Sequence, residues 1–268
     1  MKDYLLELAG REENPGKRMN MMREYLQSYI LRTFQEIGYF QKLAFVGGTA
    51  LRFLFDLPRF SEDLDFSLEN KEGYDFRDLL EKIKKPLNDA AYDVDVKFNE
   101  QRTVHSAFLK FPKLLHLAKL SHRENQNLSI KLEIDTKPPP GAKLTNTLIN
   151  RYFPLNFWHY DLPSLFAGKI HALLTRPYTK GRDYYDLAWY LTNQKGLEPN
   201  FNQLSAALKQ TQGEKAFKVD SKNWKKILVK TVKDSDWNNI VRDVSPFLER
   251  PDDINYFSID AMVKLLGE

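Results

Sequence analysis

Residues 43–55 read Leu43-Ala44-Phe45-Val46-Gly47-Gly48-Thr49-Ala50-Leu51-Arg52-Phe53-Leu54-Phe55. The first four are apolar and predict a short buried strand, which the glycine pair interrupts before a segment of helical character. Fifteen residues after Gly48, the run Asp63-Leu64-Asp65-Phe66-Ser67-Leu68 alternates polar and apolar side chains, which is the period of a half-buried strand. Asp63 and Asp65 are therefore expected to share one face of a sheet.

These two motifs together predict a phosphate and metal site. Gly47, Gly48 and Thr49 place backbone N–H groups and a hydroxyl at a helix N-terminus, where the helix dipole stabilises an anion and glycine permits close approach. Asp63 and Asp65 can hold a divalent cation, because Mg²⁺ prefers a few carboxylates together with phosphate oxygens. Each motif alone is commonly a plain turn or a strand edge, so the prediction depends on their order and spacing.

The flanking sequence predicts a mixed α/β half followed by a helical half. Apolar side chains recur at helical spacing over residues 17–37 and 74–92, and strands are expected at residues 93–98, 108–111 and 129–135. The run Pro138-Pro139-Pro140-Gly141 ends the strand-rich part, because proline cannot donate to a β-ladder. We therefore expect an α+β domain over residues 1–140 and an α-helical domain over residues 141–268, with helices near 163–175, 182–192, 202–210 and 224–232.

Composition excludes several classes of protein. The chain has 268 residues of which 42% are hydrophobic, enough to bury a core. No uncharged apolar run approaches the ~18–20 residues of a membrane helix, and Asp3 interrupts the region where a signal peptide would be apolar. The absence of cysteine excludes disulfides, thiol catalysis and cysteine-ligated zinc, and a cytoplasmic location fits best.

Charge is unevenly distributed along the chain. The net charge is only +4, but residues 97–143 contain nine Lys and Arg against four Asp and Glu. Such a basic segment is either an ordinary solvated face or the electrostatic footprint of a nucleic-acid or polyphosphate partner. The aromatic segment at residues 152–160 has two interpretations as well, packing at a domain junction or stacking on nucleobases, and packing is the commoner.

The first two motifs also carry a family resemblance. The run from Phe45 to Leu51, followed by Arg59-Phe60-Ser61-Glu62-Asp63-Leu64-Asp65-Phe66, resembles the nucleotidyltransferases of the polymerase-β superfamily. The motif Arg-x-Ser-x-Asp-Leu-Asp-Phe is similar to one of the AbiEii/AbiGii toxin family, which includes the MenT-type toxins. The same family resemblance extends to Lys169 and to the later run Arg182-Asp183-Tyr184-Tyr185-Asp186-Leu187. The resemblance covers about residues 45–190.

The resemblance implies a fold and an activity. The fold would be a polymerase-β-like nucleotidyltransferase mixed sheet flanked by helices, followed by an α-helical C-terminal domain. The activity would be transfer of a nucleotide from an NTP with Mg²⁺ or Mn²⁺, in some relatives to the 3′ end of tRNA. The chain would act as a cytoplasmic toxin of a toxin–antitoxin or phage-defence pair, with a DNA-binding regulator as antitoxin.

Site residues follow from this resemblance motif by motif. Gly47, Gly48 and Thr49 would bind the β- and γ-phosphates, and the aspartates of the Asp-x-Asp motif would bind the metals. A third carboxylate would come from a neighbouring strand, where Glu133 fits best and Asp135 is the other candidate. The structural alternative is that Glu133 is a surface residue that forms an ion pair with Lys131. The remaining candidates are Arg59, Ser61 and Arg182 for nucleotide binding, Lys169 for both triphosphate binding and catalysis, and Asp186 for catalysis.

Some of these residues have a purely structural alternative. Lys169 could be a solvated helix lysine, and Asp183 a helix N-terminal acid that is favourable with the dipole. Arg59 and Ser61 could contact phosphate or brace the loop. Asp183 and Asp186 could orient Lys169, position a base, or only pair with Lys180 and Arg182.

Three functions are consistent with the motifs. The first is nucleotidyl transfer to RNA, with tRNA as the expected acceptor. The others are nucleotidyl transfer to a protein hydroxyl, and nucleotide or RNA binding without catalysis. The presence of both motif aspartates argues against the third.

Overall fold

The computed structural model describes residues 1–267, and these divide into two compact units. Unit 1 consists of residues 1–56, 60–138 and 145–159. Unit 2 consists of residues 57–59, 139–144 and those from Tyr160 onward. The chain thus passes between the units more than once, and Arg59 belongs to unit 2 although it stands four residues before Asp63.

Unit 1 is organised around one mixed sheet. Its strands are β1 (Leu43–Val46), β2 (Asp63–Leu68), β3 (Asp95–Asn99), β4 (Val104–Phe111), β5 (Leu128–Asp135), β6 (Leu144–Asn150) and β7 (Pro154–Tyr160). Seven strands lie in the order β3-β4-β5-β2-β1-β7-β6. β2 is antiparallel to β1 and parallel to β5, and β4 is antiparallel to β3 and β5. The expected mixed sheet and the α+β class are confirmed.

Helices bury one face of this sheet. Those of unit 1 are α1 (Lys2–Gly10), α2 (Pro15–Glu36), α3 (Gly47–Phe55), α4 (Phe76–Asp89) and α5 (Leu114–Leu117). From α2, Phe34 stacks on Phe66 of β2 with ring centroids 5.1 Å apart, and Phe66 stacks on Phe45 of β1 at 5.2 Å. Side chains alternate along a strand, so the opposite face of β2, β4 and β5 carries the polar members of the Asp-x-Asp pattern and their neighbours.

Two strands that the sequence pattern does not predict, β6 and β7, follow the proline run. In the aromatic segment, Tyr152 packs edge-on against Tyr25 at 5.4 Å, and Phe157 packs against Phe45 at 5.3 Å. These contacts confirm the packing interpretation for Tyr152 and Phe157.

Unit 2 is mainly helical. It contains α6 (Leu162–Thr175), α7 (Gly181–Asn193), α8 (Phe201–Gln212), α9 (Trp224–Lys233), α10 (Trp237–Val244) and α11 (Ile259–Leu266), which confirms the four helices expected from the sequence. Phe166 of α6 stacks on Tyr190 of α7 at 4.2 Å and meets Trp224 of α9 edge-on at 5.7 Å. A Cβ at Gly181 would lie 2.1 Å from the Ile240 carbonyl oxygen, so α7 and α10 can approach this closely only at a glycine.

Among residues 1–267, no helix has both the length and the apolar character needed to cross a membrane.

Candidate active site

The glycine turn and the second motif aspartate are in direct contact. Val46 lies opposite Asp65 in the antiparallel register of β1 and β2. The next residue, Gly47, has φ +79°, and a Cβ there would lie 2.3 Å from Oδ2 of Asp65. Glycine is thus required twice, by the positive φ and by the close approach of the carboxylate. The glycine motif and the Asp-x-Asp motif, which are separate in the sequence and belong to different elements, are therefore in contact in the structure.

The backbone that leads into Asp63 is held by two buried polar side chains. The Thr49 hydroxyl, which is completely buried, donates to the carbonyl of Asp63. The side-chain amide of Gln27 on α2 donates to the carbonyls of Ser61 at 3.1 Å and Glu62 at 2.9 Å. Thr49 and Gln27 therefore fix the start of β2 relative to α2 and α3.

This geometry refines the expected role of Thr49. Its hydroxyl positions β2, so the phosphate contact expected of Thr49 stays a prediction that concerns its backbone N–H in the first turn of α3. Gln27 is a positioning residue that sequence reasoning missed. The sequence offers only a weak signal, a glutamine among the apolar positions Leu26 and Ile30 of the predicted helix, and its burial is seen only in the structure.

The strand register distinguishes the two candidates for a third carboxylate. β2 and β5 are parallel, with Asp65 opposite Glu133 and Ser67 opposite Asp135. Asp135 therefore lies two residues further along β5, away from Asp65. There its carboxylate accepts a hydrogen bond of 2.9 Å from the Lys137 N–H, and burial raises its pKa. The register favours Glu133, and its assignment as a ligand stays a prediction.

Lys131 is the lysine that lies opposite Asp63 on this sheet face. Its Nζ lies 2.8 Å from Oε1 of Glu133, so the ion pair that was the alternative explanation of Glu133 is formed. Burial alone would lower the pKa of Lys131, but the charges of Glu133, Asp63 and Asp65 outweigh it and raise that pKa. Glu133, Asp63 and Asp65 thus lie close enough to act on the same ammonium group.

The donor set suits a metal that the substrate helps to hold. Within residues 1–267, no group of three or more His, Cys, Asp or Glu side chains is placed to hold a metal ion, so Asp63, Asp65 and Glu133 do not form a ready three-carboxylate site. Asp63 and Asp65 lie on one face of β2, beside a turn in which a Cβ would fill the space at Asp65. Mg²⁺ is commonly bound by one or two carboxylates with water and substrate phosphates, and these residues fit that class.

Unit 2 contains a buried network of charged side chains. Arg59 makes two hydrogen bonds of 2.6 Å to the two carboxylate oxygens of Asp186, which is completely buried. Lys169 on α6 lies 2.7 Å from Asp186 and 3.1 Å from Asp183 on α7. Arg176 lies 3.3 Å from the other oxygen of Asp183. The structure thus brings together the Lys169 and Asp183/Asp186 motifs, and it adds Arg59 and Arg176 to them.

The network favours the charged forms of Lys169 and Asp183. Burial alone would lower the pKa of Lys169, but Asp186 and Asp183 outweigh it and raise that pKa. Burial alone would raise the pKa of Asp183, but Lys169 and Arg176 outweigh it and lower that pKa. The surface-lysine alternative for Lys169 does not describe this buried ammonium group.

Two arginines expected to bind nucleotide have protein partners. The guanidinium of Arg59 binds Asp186 as described above. Arg182 packs over the ring of Phe247, with its guanidinium carbon 4.2 Å from the ring centroid, and its Nε lies 3.9 Å from Asp243. Both contacts support a bracing role within unit 2, and nucleotide binding by Arg59 and Arg182 stays a prediction.

Comparison with known proteins gives a family match over most of the chain. A family model described as "Nucleotidyl transferase AbiEii toxin, Type IV TA system" matches residues 29–258, which include both glycine and aspartate motifs and the Lys169 network. None of the curated proteins is similar enough in sequence to be matched.

Solved structures with a similar fold come from Helicobacter pylori. JHP933 is 19% identical, with a TM-score of 0.56 over 92% of this chain and 88% of that protein. A second protein, described as a candidate nucleotidyltransferase, is 18% identical, with a TM-score of 0.52 over 91% of this chain and 90% of its own. At these identities the likeness shows a shared fold.

Proposed function

Because this chain belongs to the AbiEii family of nucleotidyl transferase toxins of Type IV toxin–antitoxin systems, we propose that it transfers a nucleotide from an NTP to RNA. The proposed acceptor is tRNA, the metal is Mg²⁺ or Mn²⁺, and the proposed setting is a phage-defence pair. The observation that carries this proposal is the contact between the Gly47 turn and Asp65. This contact brings together the backbone proposed to bind phosphate and the carboxylate proposed to bind metal.

The donor triphosphate would bind at the start of α3. The first N–H groups of a helix have no partner within that helix, and together with the helix dipole they favour an anion. α3 begins at Gly47 directly after β1, and the side chain of its N-cap residue Val46 accepts no hydrogen bond from these N–H groups. Gly47, Gly48 and Thr49 are therefore the proposed phosphate-binding residues.

Asp63 and Asp65 are the proposed metal ligands. Glu133 is proposed as the third carboxylate, which would have to leave Lys131 and move toward them to reach the same ion. When bound, a divalent cation would neutralise the triphosphate and favour ionisation of the acceptor hydroxyl. The new bond joins the acceptor oxygen to the α-phosphorus while the bond to pyrophosphate breaks, and the hydroxyl proton leaves to solvent. Thr49 and Gln27 contribute by fixing the backbone that carries these carboxylates.

Lys169 is the proposed catalytic cation for the triphosphate, and Asp186 is the residue that orients it. The Lys169 side chain is 12% exposed, whereas that of Asp186 is completely buried between Lys169 and Arg59. A lysine held at two carboxylates is a preorganised charge, which stabilises a developing negative charge without reorganisation. Arg59 thus acts on Lys169 through Asp186.

The basic segment of residues 97–143 supports an RNA acceptor. Nucleic-acid binding is driven by neutralisation of phosphates by Lys and Arg, and this segment has a net charge of +5. An antitoxin is implied by the toxin family, and we propose a DNA-binding regulator for that role.

The decisive assay measures label transfer from α-³²P-labelled NTPs to total RNA with Mg²⁺ or Mn²⁺. We expect one NTP to label a tRNA-sized band with the wild-type protein. Asp65→Asn should abolish the band, and Asp95→Asn, an exposed aspartate on β3 of the same sheet, should retain it. Full transfer by Asp65→Asn would contradict the mechanism. Label that survives ribonuclease but not protease would replace RNA by a protein hydroxyl as acceptor.

A second experiment tests Lys169. Lys169→Ala should raise the KM for the NTP and lower kcat, with the RNA KM unchanged. Unfolding in urea would be recorded in parallel, because the variant leaves Asp183 and Asp186 with one cation fewer. Unchanged kinetics in a folded variant would remove Lys169 from the site.

A further inference from the structure

The face of the sheet that carries Asp63 and Asp65 also carries an aromatic side chain, Phe108, in register with Asp63. Along one row across the strands, Lys97 of β3 lies opposite Phe108 of β4, Phe108 opposite Lys131 of β5, and Lys131 opposite Asp63 of β2. Residues directly opposite each other on neighbouring strands point to the same face. The row therefore leads from Phe108 to the proposed metal site within unit 1.

Phe108 is unusually exposed for its place in the sheet. β4 lies between β3 and β5, and its residues Ala107 and Leu109 are completely buried on the other face. The Phe108 side chain is nevertheless 44% exposed, and the Nζ of Lys131 lies 5.9 Å from its ring centroid. A large aromatic ring that is solvent-facing on an interior strand is a suitable surface for a stacked base.

The charges beside the ring suit an anionic chain. Lys97 and Lys131 flank Phe108 in its own row, and Lys110 lies two residues further along β4. The acids nearest to this row each have a lysine neighbour, since Asp95 lies opposite Lys110 and Glu133 is paired with Lys131. Exposed aromatic surface with flanking cations is the combination that binds single-stranded nucleic acid.

The position of Phe108 relative to the site favours the acceptor over the donor. The sheet order places β1, with the Gly47 turn, on one side of β2, and β5 and β4 on the other side. Neighbouring strands are ~4.8 Å apart, so Phe108 lies about 10 Å across the sheet from Asp63. This is the scale of one nucleotide, on the side of the carboxylates opposite to the proposed triphosphate site.

We infer that this face, with Phe108 at its centre and Lys97, Lys110 and Lys131 around it, binds the single-stranded 3′ end of the acceptor RNA, whose last base stacks on Phe108. The inference rests on the proposed function and adds to it the residues that bind the acceptor. The stacked base would leave the 3′ hydroxyl facing Asp63 and Asp65.

The test uses a fluorescent single-stranded RNA oligonucleotide with a free 3′ hydroxyl, and measures its Kd without NTP. Phe108→Ala should weaken binding about 5- to 150-fold, the range for loss of one base–aromatic stack. Phe108→Trp keeps an aromatic ring and should restore binding. In the transfer assay, Phe108→Ala should raise the RNA KM and leave the NTP KM unchanged.

Phe98 provides a matched control. Its side chain is 45% exposed, and the guanidinium carbon of Arg77 lies 5.6 Å from its ring centroid, much as Lys131 lies near Phe108. It faces the other way, however, because Phe98 lies opposite buried Ala107 and its ring packs edge-on against Phe76 of α4 at 6.2 Å. Phe98→Ala should leave RNA binding unchanged, so equal losses for Phe98→Ala and Phe108→Ala would overturn the inference.

The lysines are tested by salt dependence. Lys97→Ala and Lys110→Ala should each reduce the slope of log K against log salt concentration by about 1, as expected for loss of one phosphate contact. Lys85→Ala, on the exposed side of α4, should leave the slope unchanged.

Failure of this inference and failure of the proposed function have different signatures. Transfer to RNA by the wild type, with equal RNA affinity for the wild type and Phe108→Ala, would overturn the acceptor surface alone. Phe108-dependent RNA binding without label transfer to RNA would overturn the proposed reaction and support the surface. Absence of RNA binding by the wild type would overturn the surface.

Discussion

Substitution of Gly47 by alanine should move the Asp65 carboxylate. The new Cβ would lie 2.3 Å from Oδ2 of Asp65, whereas Cβ contacts below 3.0 Å are essentially never seen. Restoring that separation requires a shift of about 0.7 Å between the two atoms. The shift is met most easily by rotating the Asp65 side chain away from its preferred rotamer, which costs roughly 0.5–1.5 kcal/mol.

The backbone adds a second, separable cost. Gly47 has φ +79°, and a Cβ in that region costs roughly 1–2 kcal/mol, part of which is offset because alanine restricts the unfolded chain. Gly38 is the matched control, since its φ is +74° and a Cβ there would meet nothing within 4 Å. Gly38→Ala therefore carries the backbone cost alone. We expect Gly47→Ala to lower the free energy of unfolding by roughly 0.5–1.5 kcal/mol more than Gly38→Ala does.

Activity should separate the two variants further. Misplacement of a reacting group by ~1 Å can cost about 100-fold in rate, so Gly47→Ala should reduce nucleotide transfer about that much and Gly38→Ala hardly at all. Urea unfolding and label transfer give the two readouts. In an Asp65→Ala background the clash with Oδ2 is gone and only the 3.0 Å contact with the Cβ of residue 65 remains, so the excess cost of Gly47→Ala over Gly38→Ala should shrink. Equal stability and equal activity of the two glycine variants in the wild-type background would refute the reasoning.

Three other predictions concern buried polar contacts. Arg59→Ala should lower the free energy of unfolding in urea by about 3–5 kcal/mol, because it leaves buried Asp186 short of a partner, and Arg59→Lys should cost less; a fully stable Arg59→Ala would contradict this. Thr49→Val should lower the free energy of unfolding by roughly 1–3 kcal/mol, because the carbonyl of Asp63 loses the hydrogen bond from the Thr49 hydroxyl. Thr49→Ser should keep this hydrogen bond and most of the stability. For Asp183, burial alone would raise the pKa but nearby cations lower it below its ordinary 3.8, so its stabilisation is complete above that value and is lost as pH falls through the folded-state pKa. The unfolding free energies of wild type and Asp183→Asn should therefore converge below about pH 4, and a constant difference would contradict the assignment.

The sequence was sufficient for the face of β2, because strand periodicity depends only on local order. Asp63 and Asp65 alternate with buried Leu64 and Phe66, and that pattern has one structural solution in a sheet with one buried face. The sequence was not sufficient for β6. Its residues do not alternate between apolar and polar, and none of them is fully buried, so the pattern by which a strand is recognised is missing. β6 is placed instead by its hydrogen bonds to β7.

Long-range pairing is the part of the site that no local pattern contains. Arg59 and Asp186 are 127 residues apart, and Arg59 stands beside the Asp-x-Asp motif, where a phosphate contact is the simpler expectation. Only the fold shows that its guanidinium is used within unit 2. The same holds for Gln27, which lies 34 residues before the Ser61 carbonyl that it binds.

The solvent exposure of the Lys169 network bears on why it exists. A buried ion network is weak evidence for stability, because apolar side chains of similar volume would often serve as well. The network joins three cations, Arg59, Lys169 and Arg176, to two carboxylates, Asp183 and Asp186. The carboxylates and Arg59 are at most 5% exposed, whereas Lys169 is 12% and Arg176 29% exposed. Lys169 and Arg176 are therefore the cations of the network that solvent reaches, which the proposed contact of Lys169 with a triphosphate requires and a purely structural ion network does not.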